Sequence, residues 1–302
     1  MNSFVEFAKD ILQKDHILLQ EPLKKYTTFR VGGPAFCMCK IQTVEQLQKI
    51  VPYLSSHGLP YFVIGKGSNL LVADAGYEGV VLSLGETFEK TCWEDNTVTA
   101  GAAVLLGRLS REAMERSLTG LEFAAGIPGT LGGGMKMNAG AYGGELSQLV
   151  TKAKVMTAQG TLVELEKDQL ELGYRSSIFH KKDWILLEAT LQCQLGEQVK
   201  IKEIMDQYQA ARKEKQPLEY GSAGSTFKRP EGNFAGKLIM DAGLRGFRIG
   251  DAQVSEKHCG FVINRGNATA DEILQVIHEV QKEVQNQFQV ALEPEVIMIG
   301  KF

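Results

Sequence analysis

The sequence has no apolar run long enough to cross a bilayer. Its longer runs, such as Tyr61 to Ile64, stop far short of the roughly 20 residues a spanning helix needs. No membrane insertion is expected. The first residues also have no signal-peptide pattern, because Glu6, Lys9, Asp10, Lys14, Asp15 and His16 interrupt every apolar stretch, so a cytoplasmic location is expected. Basic charge is not in excess: a net charge of -3 offers no dense cationic surface for phosphates, which argues against a nucleic-acid partner. The 5 cysteines (Cys37, Cys39, Cys92, Cys193 and Cys259) are odd in number and contain no CxxC pair. They fit reduced thiols, and no metal site is expected. Cys37 and Cys39 alternate along an expected strand and read as packing residues. The chain shows no repeat period and no low-complexity tract, and nothing in it points to an obligatory protein partner.

What is present is a globular composition over 302 residues, 44% hydrophobic and 23% charged. That length exceeds what one core usually fills, so more than one domain is expected. Thr43-Val-Glu-Gln46 has capping-box spacing, and Leu47, Ile50 and Leu54 follow at helical intervals until Gly58-Leu-Pro60. A strand from Tyr61 to Ile64 then runs straight into a glycine loop. Further strands are expected at 79–84, 96–100, 152–156 and 185–193, with a helix through Leu105, Leu109 and Met114. A charged helix spans about 200–215 and ends at Gln216-Pro217, and the domain junction falls near its start. A second capping box, Thr269-Ala-Asp-Glu272, opens a helix with Ile273, Ile277, Val280, Val284 and Phe288 on one face. A strand from Glu295 to Ile299 closes the chain. This alternation is that of an α/β or α+β protein.

Two glycine-rich segments stand out: Gly65-Lys-Gly-Ser-Asn-Leu70, and Gly126-Ile-Pro-Gly-Thr-Leu-Gly-Gly-Gly134 followed by Met137-Asn-Ala-Gly-Ala-Tyr-Gly143. Glycine tolerates positive φ and lets backbone amides close in on a ligand, so paired loops of this kind suit a dinucleotide pyrophosphate. Neither has the GxGxxG of a Rossmann fold, and no Walker A motif is present. A different nucleotide-binding fold is required.

Those segments, together with Tyr26-Thr-Thr-Phe-Arg-Val-Gly-Gly-Pro-Ala35, Tyr174-Arg-Ser-Ser-Ile-Phe179, Gly221-Ser-Ala-Gly-Ser-Thr-Phe-Lys228, Ala242-Gly-Leu-Arg-Gly246, Val254-Ser-Glu-Lys-His258 and Leu292-Glu-Pro-Glu-Val296, resemble the motifs of UDP-N-acetylenolpyruvoylglucosamine reductases. They occur in the family's order over nearly the whole chain. The resemblance implies an α+β protein with an FAD-binding fold of the vanillyl-alcohol-oxidase type. Its FAD-binding domain would span 1–200, as two subdomains of roughly 1–75 and 76–200, and a substrate-binding domain would span 201–302. It implies non-covalent FAD, held by Gly65, Lys66, Gly67, Ser68, Asn69 and Leu70 on one loop. The other loop would contribute Gly126, Ile127, Pro128, Gly129, Gly132, Gly133, Asn138, Ala139 and Gly140. NADPH would be the co-substrate, and a UDP-sugar enolpyruvyl ether the substrate.

The resemblance also implies three reacting side chains. Arg175 would anchor the enolpyruvyl carboxylate through a forked pair of charge-assisted hydrogen bonds. Glu295 would lie near the same carboxylate, where like-charge repulsion would raise its pKa and let it share the growing negative charge. Ser225 would protonate carbon as the general acid. Taken singly, Arg175 reads as a surface ion-pair residue, Glu295 as a solvated strand-edge carboxylate and Ser225 as a turn serine without the GxSxG elbow of hydrolases. Arg212, Lys215, Lys228 and His258 would contact the UDP-sugar, although Arg212 and Lys215 alone would read as a solvated helix face. Two positions depart from a common family form: Arg229 stands where Asn is frequent, and Ile297 where Arg often follows Glu-Val. The chain resembles the shorter family type, which lacks a tyrosine-bearing loop over the substrate. The competing readings are a flavin oxidase of the same fold and a non-catalytic flavin- or nucleotide-sugar-binding protein.

Overall fold

The computed structural model describes all residues from Met1 to Phe302. They pack as two compact units interleaved in sequence. Met1–Leu19, Cys37–Lys66 and Gly79–Ala211 form the first, and Gln20–Phe36, Gly67–Glu78 and Arg212–Phe302 form the second.

The first unit opens with α1 (Asn2–Lys9), which buries Phe4, Val5 and Ala8. In α2 (Val44–Ser56) the expected capping box is closed: Gln46 N–H donates to Thr43 Oγ1 and Thr43 N–H to Gln46 Oε1, each at 3.3 Å. Leu47, Ile50, Val51 and Leu54 are buried. Strand Tyr61–Ile64 follows and pairs in parallel with Tyr77–Leu84, from Tyr61↔Val80 to Ile64↔Ser83. It lies at one end of a four-stranded sheet, in the order Ile17–Pro22, Pro34–Ile41, Tyr77–Leu84, Tyr61–Ile64. Cys37 and Cys39 are buried in strand Pro34–Ile41, as is Met38 between them on the opposite face.

An antiparallel five-stranded sheet, in the order Leu162–Glu166, Val150–Met156, Ile185–Gln192, Thr97–Gly101, Thr91–Glu94, carries the other core of this unit. Val98, Leu191 and Val155 meet Leu106 and Leu109 of α3 (Leu106–Glu115) in that core. The glycine-dense segment is not a loop throughout. Residues Leu131–Met137 form helix α4, with Thr130 as N-cap. Leu131 and Met135 are its buried anchors, and a Cβ on Gly134 would lie 3.0 Å from both Leu106 and Leu146, so glycine here permits close packing rather than a turn. The charged helix α5 (Gln198–Lys215) buries only Ile201 and Met205.

In the second unit α6 (Ala235–Asp241) and α7 (Ala270–Phe288) accompany a three-stranded antiparallel sheet, Arg248–Ile249, Ala252–Val254 and Val262–Asn264. Of the expected apolar stripe of α7, Ile273, Ile277, Val280 and Val284 are buried and Phe288 is half-buried; Val276 joins the buried set, and each buried side chain contributes about 1.5–3 kcal/mol relative to exposure. The closing strand is Ile297–Ile299, two residues shorter than expected, and it pairs in parallel with Leu70–Val72. The amide of Glu295 donates instead to Thr226 O at 2.8 Å, which takes that residue out of the parallel ladder.

Candidate active site

The two glycine segments touch. A Cβ on Gly65 would lie 2.5 Å from Thr130 Oγ1, so only glycine fits against the N-cap of α4. Gly67 has φ +57°, and a Cβ there would lie 2.0 Å from the Tyr26 carbonyl oxygen. No hydrogen bond within the protein takes up the amides of Lys66, Gly67 and Ser68. Three successive free donors beside residues that admit no side chain fit an anionic diphosphate. The second segment is different. Leu131 and Gly132 amides donate to the Val104 and Ala102 carbonyls, both at 2.8 Å, and Gly133 donates to Thr130 Oγ1 at 3.4 Å. The first turn of α4 is therefore committed to the fold. Ahead of it, Ile127 packs on the core of the first unit, Pro128 is exposed and the Gly129 carbonyl accepts from Leu106 N–H at 3.0 Å. Gly126 N-terminal to these ends a short 3₁₀ turn, Glu122–Gly126. Neither His nor Cys occurs in 65–70 or 126–140, so these loops offer no side chain for a covalent flavin link. Thr130, and Tyr26 as the wall behind Gly67, were not singled out as site residues from sequence. Their role is steric and leaves no signal in residue type.

Arg175 stands at the tip of a tight turn in the first unit. Gly173 N–H donates to Ser176 O at 3.1 Å and Ser176 N–H returns to Gly173 O at 3.2 Å. Arg175 has φ +52°, the left-handed region that a branched-free but bulky side chain rarely occupies and that recurs at functional sites. The residue is half-buried, and its guanidinium lies 5.2 Å from the Tyr174 ring centroid and donates to Gly140 O at 3.4 Å. Behind it, Ala139 N–H donates to Gly134 O at 2.8 Å, and Asn138 is fully buried. Burial pushes the ammonium of the neighbouring Lys136 below its usual range, with Asp183 partly opposing.

Ser225 and Glu295 are neighbours in the second unit, although 225 and 295 lie far apart in sequence. Phe227 and Pro294 form an antiparallel bridge, flanked by Glu295 N–H to Thr226 O and Lys228 N–H to Glu293 O, both 2.8 Å. Thr226 is fully buried, and its hydroxyl accepts from Val262 N–H at 2.9 Å, which pins the segment to the three-stranded sheet. Ser225, one residue earlier, is exposed. Gly224 beside it has φ +77° with open space where a Cβ would be. Glu295 is half-buried, and its carbonyl accepts from Asn69 Nδ2 at 3.0 Å, while Ile297 N–H donates to Asn69 O at 3.0 Å. Asn69 thus braces the backbone of Glu295. Leu70, next in that loop, is a buried member of the parallel strand.

The expected UDP-sugar contacts differ in availability. Lys228 forms an ion pair with Glu293, Arg212 Nε donates to Gln216 Oε1 at 2.9 Å, and Lys215 is exposed at the end of α5. His258 is half-buried and packs edge-on against Phe261 at 4.8 Å. Its Nδ1 accepts from Gly260 N–H at 3.2 Å, and burial pushes its imidazole pKa down. Arg229, one of the two departures, places its guanidinium 3.9 Å from the ring centroid of exposed Phe234. Ile297, the other, pairs with Leu70. No group of three or more His, Cys, Asp or Glu could hold a metal ion, and no helix is long and apolar enough to cross a membrane.

Residues 37–166 match the family described as FAD binding domain. In three dimensions the chain is similar to Phl p 4.0202, a glucose dehydrogenase, at TM-score 0.52 and 14% identity over 65% of this chain and 44% of that one, a likeness of fold alone. The class is therefore an α+β flavoprotein with the FAD-binding fold of the vanillyl-alcohol-oxidase type, extended by a further C-terminal domain. That C-terminal part, residues 216–299, matches the C-terminal domain of UDP-N-acetylenolpyruvoylglucosamine reductase. The chain is 49% identical to the UDP-N-acetylenolpyruvoylglucosamine reductase of Lachnoclostridium phytofermentans, over 99% of this chain and 98% of that protein. It is 47% identical to that of Clostridium perfringens over the full length of both. The crystal structure of the Thermus caldophilus reductase is similar at TM-score 0.81 and 35% identity, covering 94% and 98% of the two chains. The chain belongs to the UDP-N-acetylenolpyruvoylglucosamine reductase family.

Proposed function

We propose that this protein is an NADPH-dependent, FAD-containing oxidoreductase that reduces UDP-N-acetylglucosamine enolpyruvate to UDP-N-acetylmuramate in peptidoglycan precursor synthesis, acting in the cytoplasm. Non-covalent FAD binds through 1–200 and the UDP-sugar through 201–302. Bound FAD would supply the two-electron chemistry, relaying a hydride from NADPH to the terminal methylene carbon of the enolpyruvyl group, so that negative charge develops on the adjacent ether-bearing carbon and its carboxylate. The protein's own groups do the rest. The free amides of Lys66, Gly67 and Ser68 hold the diphosphate of the cofactor. Arg175 takes the enolpyruvyl carboxylate in a bidentate grip, stronger in the charge-rich transition state than in the ground state. Glu295 shares that growing charge by hydrogen bonding as an acid, and the Ser225 hydroxyl delivers the proton to the adjacent carbon.

The observation that carries this reading is the backbone pairing that sets the segments of Ser225 and Glu295 side by side, Glu295 N–H to Thr226 O at 2.8 Å. An oxidase has no evident use for a proton donor and an acid held there. The test is spectroscopic. Purified protein should carry a flavin spectrum, bleach anaerobically with NADPH and recover rapidly on addition of the enolpyruvyl nucleotide sugar. Recovery with oxygen but not with the sugar would instead assign an oxidase, and protein that binds no flavin would refute both.

A further inference from the structure

The turn that presents Arg175 does not hold itself. Two backbone hydrogen bonds close it, yet its tip residue sits at φ +52°, a strained conformation for an arginine that persists only where its surroundings impose it. The restraint comes from the segment 136–140. Ser177, buried just after the turn, donates its hydroxyl to Lys136 O at 2.7 Å. Asn138 Nδ2 donates to Gly173 O at 3.1 Å, at the base of the turn. That carbonyl also accepts from Ser176 N–H, so both of its lone pairs are used. At the other end of the same carboxamide, Asn138 Oδ1 accepts from Ser147 N–H at 2.9 Å. Asn138 is itself left-handed, at φ 41° and ψ 59°, a conformation Asn tolerates better than other non-glycine residues. It is 0% exposed.

A side chain with no exposed surface and with both polar ends bonded inside the protein is poorly placed to meet a cofactor. We infer that Asn138 is a positioning residue for Arg175: its carboxamide ties the Gly173–Ser176 turn to the end of α4 and so aims the guanidinium that grips the substrate carboxylate. The inference deepens the functional reading above and rests on it for the role of Arg175. It differs from the sequence expectation that Asn138 contacts FAD.

Asn138→Asp is the incisive variant. It keeps the shape, the left-handed backbone and the acceptor for Ser147, but replaces the donor to Gly173 by an oxygen that faces the carbonyl. In the holoenzyme we expect FAD content unchanged and bleaching by NADPH within about threefold of wild type, while reoxidation by the enolpyruvyl nucleotide sugar slows about 10–100-fold. Combined with Arg175→Ala, Asn138→Asp should add no further loss, because the group it aims is gone. Asn138→Gly, which suits the left-handed backbone and removes both side-chain bonds, should give the same split if the aspartate variant does not fold. Loss of FAD, equal slowing of both half-reactions, independent effects in the double variant, or failure of both variants to fold would each overturn the inference. A wild-type protein inert toward the sugar would sink the functional reading instead. The positioning claim would then be decided by hydrogen exchange at the Ser176 amide, which Asn138→Asp should accelerate about tenfold or more and which an unrelated Asn138 would leave unchanged.

Discussion

Ser225 is exposed, whereas the hydroxyl of buried Thr226 next to it accepts from Val262 N–H, so of the two only Ser225 is open to the proton transfer proposed for it. Ser225→Ala should therefore leave the fold and the NADPH half-reaction intact and lower turnover about 10²–10⁴-fold, the usual worth of a positioned general acid. Stopped-flow reduction and steady-state turnover, measured on the same preparation, separate the two, and near-normal turnover would remove the serine from the mechanism. His258 makes a different prediction. Burial holds its imidazole below the ordinary 6.5, so the unfolded chain binds its proton at higher pH than the native protein does. Its contribution is complete above that value and is lost as pH falls through the lower, folded pKa. His258→Gln should flatten the decline in urea midpoint on acidification below 6.5, and an unchanged slope would refute it. Residue type identified these candidates only through their collinear motifs. It gave Asn138 and Asn69 only as cofactor-loop residues and was silent on their inward bonds to Gly173 and Glu295, because partners far along the chain leave no local pattern.

Elements were legible wherever a local signal exists. Both capping boxes close as their spacing predicts, and the stripe of α7 is buried from Ile273 to Val284, with Phe288 half-buried at its end. The miss at α4 has a plain cause. Its run of glycines has poor helix propensity, and the helix exists because Thr130 caps it and Leu131 and Met135 are buried, which only tertiary packing supplies. The N-terminus of α7 hides a similar long-range device. Beyond its own Thr269, the carboxylate of Asp74 accepts from Ala270 N–H at 2.9 Å and Asp271 N–H at 3.0 Å. That residue satisfies two of the orphan donors of the first turn and favours the positive end of the helix dipole. Asp74→Ala should cost about 1–2 kcal/mol, read as a lower urea midpoint at unchanged m-value, whereas Asp74→Asn, which keeps one acceptor, should cost less. Equal effects of the two would mean that the cap is not what Asp74 contributes.

For the whole molecule, ligand linkage gives the broadest prediction. FAD that binds the native chain and not the unfolded one should raise the melting temperature with added cofactor, by about 2.7 kcal/mol of apparent stability at a hundredfold excess over Kd. Apo-protein whose melting ignores FAD would contradict flavin binding by the native state. At this scale the sequence determined the family, the α+β flavoprotein class and the cofactor, because eight ordered motifs survive as a linear record of shared ancestry. Tertiary structure alone decided which chain segments pack together. Gln20–Phe36 and Gly67–Glu78 join the unit of the last third, Gly65 meets Thr130, and Glu295 lies beside Thr226. The physical reason is common to all three. Motifs persist in one dimension, but a steric fit between a glycine and a distant backbone, or a hydrogen bond between remote strands, comes into being only when the chain closes on itself.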